Sequence, residues 1–410
     1  MTRSTAPRPP VRAPFAVAPI GQWLAPMVSI VGLLVIAIIT LTLIQGGVPF
    51  IGGSGPNGPN GNGLKMTPAP SNVVVVPDVV AFPGSIVYAK AGNIWIQTGK
   101  QTHQLTTSGL DSMPSWSPDG TSIFFIRTVN AIGVWPSGGA DRRYEMTTPS
   151  VMRIKADGSA DPVQVLSGKV ARGARTWHVW IRQPVLSPDG TTLAMVSDRP
   201  DPTKSDVVLQ FYDLTTKRSL VPKLTEEAPL GHQDPAWRAD GKVLMYVRNG
   251  REGVRGSPLI FRWDVAKAKA AALTGPGYLE PAYSPDGRYI AATKTTSFGN
   301  DLVILDASSG RELLRVTNDG ASWASVWSPV GDSLAFLHIQ GQIVDLKLAT
   351  LDGVAPNWTV KAITDLTEVS GLDGSSRPGW YVPPDQVPTP TPTPISSAPT
   401  PSASGSAAPQ

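Results

Sequence analysis

The 410-residue chain contains no cysteine, which removes disulfide frameworks, thiolate metal sites, iron–sulfur clusters, cysteine nucleophiles and a lipidated N-terminal cysteine. Histidine is nearly as scarce. His103, His178, His232 and His338 fall at dissimilar positions, without HExxH, paired-His or EF-hand spacing, so ordinary surface or hydrogen-bonding roles outweigh zinc, calcium or acid–base roles. There is no GxSxG nucleophile elbow, no Walker A loop and no GxGxxG set between a strand and a helix. No catalytic, metal or cofactor-binding residue is therefore assigned, no cofactor is expected, and the chain does not read as an enzyme. Charge is also thin, at 16% of residues with a formal net of +4. Arg3, Arg8 and Arg12 supply three of that excess, and the remaining 32 basic and 31 acidic residues nearly cancel. A pI near 9.2 thus marks no nucleic-acid-binding surface, and no nucleic-acid partner is expected.

What is abundant is glycine and proline, 40 and 41 residues; 20 of the prolines lie in the two ends outside 83–383, whereas 29 of the glycines lie between them. Residues 24–44, LAPMVSIVGLLVIAIITLTLI, run 21 residues without a charge, long enough at about 1.5 Å per residue to cross a bilayer core. With Arg3, Arg8 and Arg12 before it and no charge after it until Lys65, the expectation is an uncleaved single-pass signal-anchor, N terminus inside and the remainder extracytoplasmic. Residues 1–23 form a short cytoplasmic segment in this reading, and 45–82, with GGSGPNGPNGNG, a flexible linker. Residues 384–410, rich in Pro, Thr and Ser, form a tail that cannot bury enough apolar area to fold alone.

Between them, residues 83–383 read as many short strands separated by Gly, Asp, Ser and Asn. PSWSPDGTSIFFI, PVLSPDGTTLAMV, PAWRADGKVLMYV, PAYSPDGRYIAAT and SVWSPVGDSLAFL recur, with their glycines at Gly120, Gly190, Gly241, Gly287 and Gly331. The spacings of 70, 51, 46 and 44 residues suit a four-stranded propeller blade, with one repeat expanded. Asp119, Asp189, Asp240 and Asp286 occupy the turn, where a carboxylate accepts neighbouring backbone N–H groups. Trp116, Leu186, Trp237, Tyr283 and Trp327 share a position expected to pack between blades, and each repeat closes near a Leu-Thr or Val-Thr pair. The first repeat lacks its opening strand. RPGWYVP at 377–383 is expected to supply it, closing six blades; a seventh remains open if 121–183 hides one, although 128–149 reads better as an insertion. The sequence Asn357-Trp358-Thr359 fits a glycosylation acceptor by chance and is assigned no role.

The recurring WSPDG, LSPDG and YSPDG resemble the TolB-like or WD40-like (PD40) β-propeller repeat over most of this region, while RADG at 238–241 and SPVG at 328–331 depart from it. The resemblance implies an all-β propeller more readily suited to binding than to chemistry, since that family includes envelope interaction proteins.

Two site expectations follow. The residues just before the first strands, Met113, Gln183, Asp234, Glu280, Ala324 and Arg377, should ring one mouth of the channel. There Asp234 and Glu280 could capture a cation and Arg377 a carboxylate, unless they form a solvated or mutually paired rim. Trp135, Tyr144, Trp177 and Trp180, all near the expanded repeat, are candidates for protein contact, against a plain role in loop packing. The leading function is an anchored extracytoplasmic propeller that binds a protein or peptide of the cell envelope. The alternatives are a carbohydrate or small-solute sensor at the channel mouth and a glycan-processing enzyme with a loop-built site.

Overall fold

The structure, a computed structural model, describes residues 74–75, 82–137, 139–172, 175–203, 206–222, 231–249 and 258–387. Six antiparallel sheets follow one another as blades. Blades 3 to 6 begin with Ile181–Leu186, His232–Trp237, Tyr278–Tyr283 and Ser322–Trp327, and each adds three further strands outward in chain order. Blade 2 begins with Asp111–Trp116. Blade 1 joins the two ends of the domain: Gly379–Tyr381 pairs with Ser85–Lys90 as the innermost strand, with Asn93–Thr98 and Gln101–Gln104 beyond. The strand expected within 377–383 is therefore present and closes a ring of six. The Trp380 indole N–H donates to the Pro83 carbonyl at 2.9 Å across 297 residues of sequence. Among the described residues of 121–183 there is no seventh blade; they form two long strands, a short fourth strand at Val163–Leu166 and a separate hairpin, Lys169–Arg172 with Arg175–His178. Val74–Val75, inside the expected linker, adds a short outer strand to blade 1.

Each blade's second and third strands carry the apolar load because both of their faces meet a neighbour. Phe125, Leu193, Tyr246, Ile290 and Phe336 are fully buried, each contributing about 1.5–3 kcal/mol of transfer free energy. The shared aromatic position packs between blades as expected. Trp237 of blade 4 lies 5.9 Å from Phe211 of blade 3, and Trp327 of blade 6 meets Trp358, which stands 4.6 Å from Tyr289 of blade 5.

The repeat motifs resolve into two local devices. In the turn, Ser117 donates to Asp119, Asp119 accepts the Thr121 N–H at 3.1 Å, and the Ser122 N–H donates back to Ser117 Oγ at 2.9 Å. Ser187 and Asp189 repeat this set. At the outer edge, in four blades the threonine after the fourth strand accepts an N–H of the third strand: Ile94 to Thr106, Ile260 to Thr274, Leu302 to Thr317 and Leu346 to Thr367, at 2.8 to 3.1 Å. In blade 3 His232 Nδ1 accepts the corresponding Leu209 N–H instead, a structural use for one of the four histidines.

The single-pass anchor expected over residues 24–44 is not upheld. No helix among the described residues is long and apolar enough to cross a membrane, and residues 24–44 lie outside them. The helix those residues do contain is a three-residue 3-10 turn, Pro384–Gln386, against the roughly 20 residues a span needs. The anchored topology, the membrane contact through 24–44 and the localisation drawn from them are withdrawn. The segments 1–23 and 388–410 also lie outside the described residues.

Candidate functional site

Strand direction gives the ring two unlike ends. Each first strand runs away from the end holding Met113, Gln183, Asp234, Glu280 and Ala324 toward the Ser-Pro-Asp-Gly turns, and the second strand returns, so that Asp111 faces Arg127 and Ser322 faces His338. Loops between second and third strands, and those between blades, therefore gather at the first end, the mouth.

All five mouth residues take left-handed backbone, with φ between 50° and 55°. Each lies at a break in register between the first two strands of its blade. Such strain costs about 1–3 kcal/mol per residue and persists where surrounding contacts hold it. For four of the five, those contacts come from the preceding blade. The Asp234 N–H donates to Gln183 Oε1 at 2.9 Å, the Glu280 N–H to Asp234 Oδ2 at 3.2 Å, and the Ala324 N–H to Glu280 Oε2 at 2.8 Å. The Met113 N–H donates to Ser376 Oγ at 2.8 Å. Side chain to next backbone, the links step around the channel. Methionine and alanine offer no acceptor for the two remaining steps. There Ser115 Oγ donates to the Pro184 carbonyl at 2.6 Å, and the Trp323 indole N–H to the Gly374 carbonyl at 2.9 Å.

Arg377 comes from the segment before the closing strand and reaches blades 4 and 5, its Nη1 donating to the Pro281 carbonyl at 2.6 Å and its Nη2 lying 3.5 Å from the Pro235 carbonyl. The predicted set Gln183, Asp234, Glu280 and Arg377 is thus brought together, lining one cavity of about 260 Å³ with Trp116, Trp237 and Tyr283. Burial pushes the Glu280 carboxyl up to about 7, helped by the neighbouring Asp234 carboxylate. Burial likewise pushes Asp234 upward against the pull of Arg377. Much of this polar capacity is spent internally: Asp234 also accepts from Gln183 Nε2, and Glu280 from Thr293 Oγ1 at 2.7 Å. Thr293 and Ser376 were invisible as site residues because neither occupies the repeat position that marks the others. Among the described residues, no three His, Asp or Glu side chains converge to hold a metal.

The expanded repeat forms the wall beside the mouth. Ser122–Ser137 and Ala140–Lys155 pair over their full length, extending well beyond the level where Arg127 meets Asp111. The 169–178 hairpin packs on this ribbon. Trp135 and Trp177 meet edge to face at 5.5 Å, and Thr148 Oγ1 and His178 Nδ1 share a hydrogen bond of 2.5 Å. A Cβ at Gly133 would fall 2.7 Å from the His178 ring, so only glycine permits this approach. Of the four candidate contact residues, Trp135 and Trp177 thus join the two hairpins, whereas Tyr144 and Trp180 are 41% and 51% exposed. Leu110, Val129, Ile132, Phe298, Ile339, Ile343 and Val369 are also exposed at this end. Asp198, whose carboxyl burial pushes up to about 6, accepts the Trp180 N–H at 2.7 Å and fixes the backbone there.

No family model matches the chain. An uncharacterized protein of Agrobacterium fabrum is 24% identical over 149 residues, 35% of this chain and 47% of that protein, so the chain spans about half the length of this curated relative. Among solved structures, TolB from Acinetobacter baumannii matches with a TM-score of 0.51 and 19% identity over 72% of this chain and 66% of that one. A putative TolB from Agrobacterium tumefaciens gives 0.50 and 18% over 75% and 96%, and a chain of a nidogen/laminin complex gives 0.50 and 8% over 73% and 98%. At such identities the likeness is one of fold. The chain is a six-bladed β-propeller that resembles the TolB-like, PD40-repeat proteins.

Proposed function

We propose that this propeller binds a protein or peptide partner of the cell envelope through its mouth end. The observation that carries this reading is the distribution of exposed apolar side chains. Nine of the fifteen large ones among the described residues lie at the mouth end, where the long ribbon and the 169–178 hairpin also stand. Apolar surface gathered on one face and rimmed by polar residues is the usual mark of a protein contact. The resemblance to envelope interaction propellers agrees at the level of fold alone. Crosslinking of the full chain in its native host, read by mass spectrometry, tests it. A recurrent partner should be lost on Trp180→Ala combined with Ile132→Ala and kept on Val354→Ala at the opposite end. Equal recovery from both variants would remove the mouth end as the contact face.

A small solute in the channel has one supporting observation, the 260 Å³ cavity with its acid pair and Arg377. The internal hydrogen bonds of those groups weigh against it, and a solute screen in which Asp234→Asn leaves every response unchanged would end that reading.

A further inference from the structure

Between the blade 2 ribbon and the 169–178 hairpin lies a cleft of about 560 Å³, lined by Ile132, Gly133, Val134, Asp141, Arg143, Lys169, Thr176 and His178. It lies outside the channel, and its lining shares no residue with the cluster around Arg377. Arg143 on the ribbon and Lys169 on the hairpin are both exposed, and among the described residues neither has an ion-pair partner. Asp141, the acid among the described lining residues, is itself engaged, and with Arg143 and Lys169 against it these residues carry a formal excess of one positive charge. At the floor, burial and the charge of Lys169 hold the His178 imidazole below its ordinary pKa, so at neutral pH it adds no further cation.

Backbone geometry supplies a second observation. The blade's first strand covers the ribbon's inner edge only as far as Thr128, whose N–H donates to the Leu110 carbonyl at 2.9 Å. The fourth strand, Val163–Leu166, covers the outer edge only at Val151–Arg153. Among the described residues no strand pairs with the inner edge over 129–137 or the outer edge over 140–147, beyond which Gly168 lies against the Pro149 carbonyl, so these stretches present backbone donors and acceptors to an incoming chain.

We propose that this cleft docks an extended acidic segment of a partner protein, with a side-chain carboxylate seated between Arg143 and Lys169. This rests on the mouth-end reading above and names the chemistry it selects. Two cations on facing walls suit one carboxylate, Ile132 and Val134 give its apolar neighbour a surface, and the open edges suit a strand-like backbone.

Fluorescence anisotropy of the full chain with a labelled peptide of alternating glutamate and phenylalanine tests the proposal, beside the same peptide with glutamine throughout. The glutamate peptide should bind at least tenfold more tightly, and added salt should narrow the gap. Arg143→Glu with Lys169→Glu should weaken it about 100-fold, about tenfold for each residue reversed, while Val354→Asp changes nothing. Both reversed residues are exposed, so unchanged thermal melting verifies that the variants remain folded. Equal affinity for the two peptides, or an affinity that survives the double reversal, would overturn the proposal. If the crosslinked partner is still lost on Trp180→Ala with Ile132→Ala, the mouth-end reading stands without the carboxylate site. Retention of that partner on Trp180→Ala with Ile132→Ala would remove the mouth-end reading and, with it, the docking of that partner in the cleft, whatever the free peptide does.

Discussion

The two ends of this propeller are held by different chemistry. At the turn end the repeated bonds stay within a blade: Ser117 and Asp119, two residues apart, bind each other and their own turn, and Ser187 with Asp189 do the same in the next blade, while Tyr381 of blade 1 crosses to donate to the Asp119 carbonyl at 3.0 Å. At the mouth no blade is complete alone. Gln183 holds blade 4, Asp234 holds blade 5, Glu280 holds blade 6 and Arg377 reaches back across the channel. The turn end stabilises strands, and the mouth end stabilises the ring.

That contrast is open to direct attack. The largest effect should come from Arg377→Met, which removes the cation beside two buried carboxyl groups and two contacts between blades. A loss of about 3–5 kcal/mol is expected in urea unfolding, in line with other buried charge clusters broken on one side. Next is the proton balance of the acid pair. Glu280 in the folded chain keeps its proton up to about pH 7, whereas an unfolded glutamate releases it near its ordinary 4.5. The folded state therefore carries the extra proton between those values, and stability falls as pH rises through that window, by up to about 3 kcal/mol. Glu280→Gln, which keeps an acceptor for the Ala324 and Thr293 donors, should flatten the curve of unfolding free energy over pH 4.5–7; a slope unchanged in the variant would assign it elsewhere.

Smaller effects sharpen the comparison. Thr367→Val leaves the buried Leu346 N–H without its acceptor and should cost about 1–3 kcal/mol, visible as a lower urea midpoint. Asp119→Ala at the turn end should cost about 1 kcal/mol or less, because its bonds are exposed and local. A loss equal to that of Arg377→Met would erase the distinction between the ends. Ser117 and Thr121 hold the Asp119 carboxyl below the usual range, so this small contribution is present at neutral pH and fades as pH falls below the ordinary 3.8.

The same contrast explains what could be read from the residues alone. Turns depend on neighbours in sequence, so Ser-Pro-Asp-Gly announces its structure and its period announces the blades. The closing strand was legible too, because Trp380 repeats the inter-blade aromatic. The mouth residues were legible as one repeat position, although five of them lie third within the first strands rather than just before them, and the bonds among them were not legible: Gln183 and Asp234 are 51 residues apart, and Arg377 and Pro281 are 96. No local pattern encodes a distance set only when the ring closes. The 128–149 insertion was visible as extra length but not as strand, since Gly133 and Pro136 read as breakers. Gly133 instead makes room for His178, and Pro136 lies one pair from the tip. The charge-free run at 24–44 shows the opposite hazard: hydropathy alone suggested a span, and the described residues contain no helix to match it.

Closure also sets a timetable for synthesis. Ser85–Lys90 emerges from the ribosome early, but its inner partner Gly379–Tyr381 is made near the end of the domain. Throughout translation of the intervening blades, blade 1 carries an exposed strand edge, the kind of surface that recruits the wrong chain. The nascent protein is therefore at its most vulnerable for nearly the whole of its own manufacture, and chaperone demand should end abruptly once the last inner strand clears the exit tunnel.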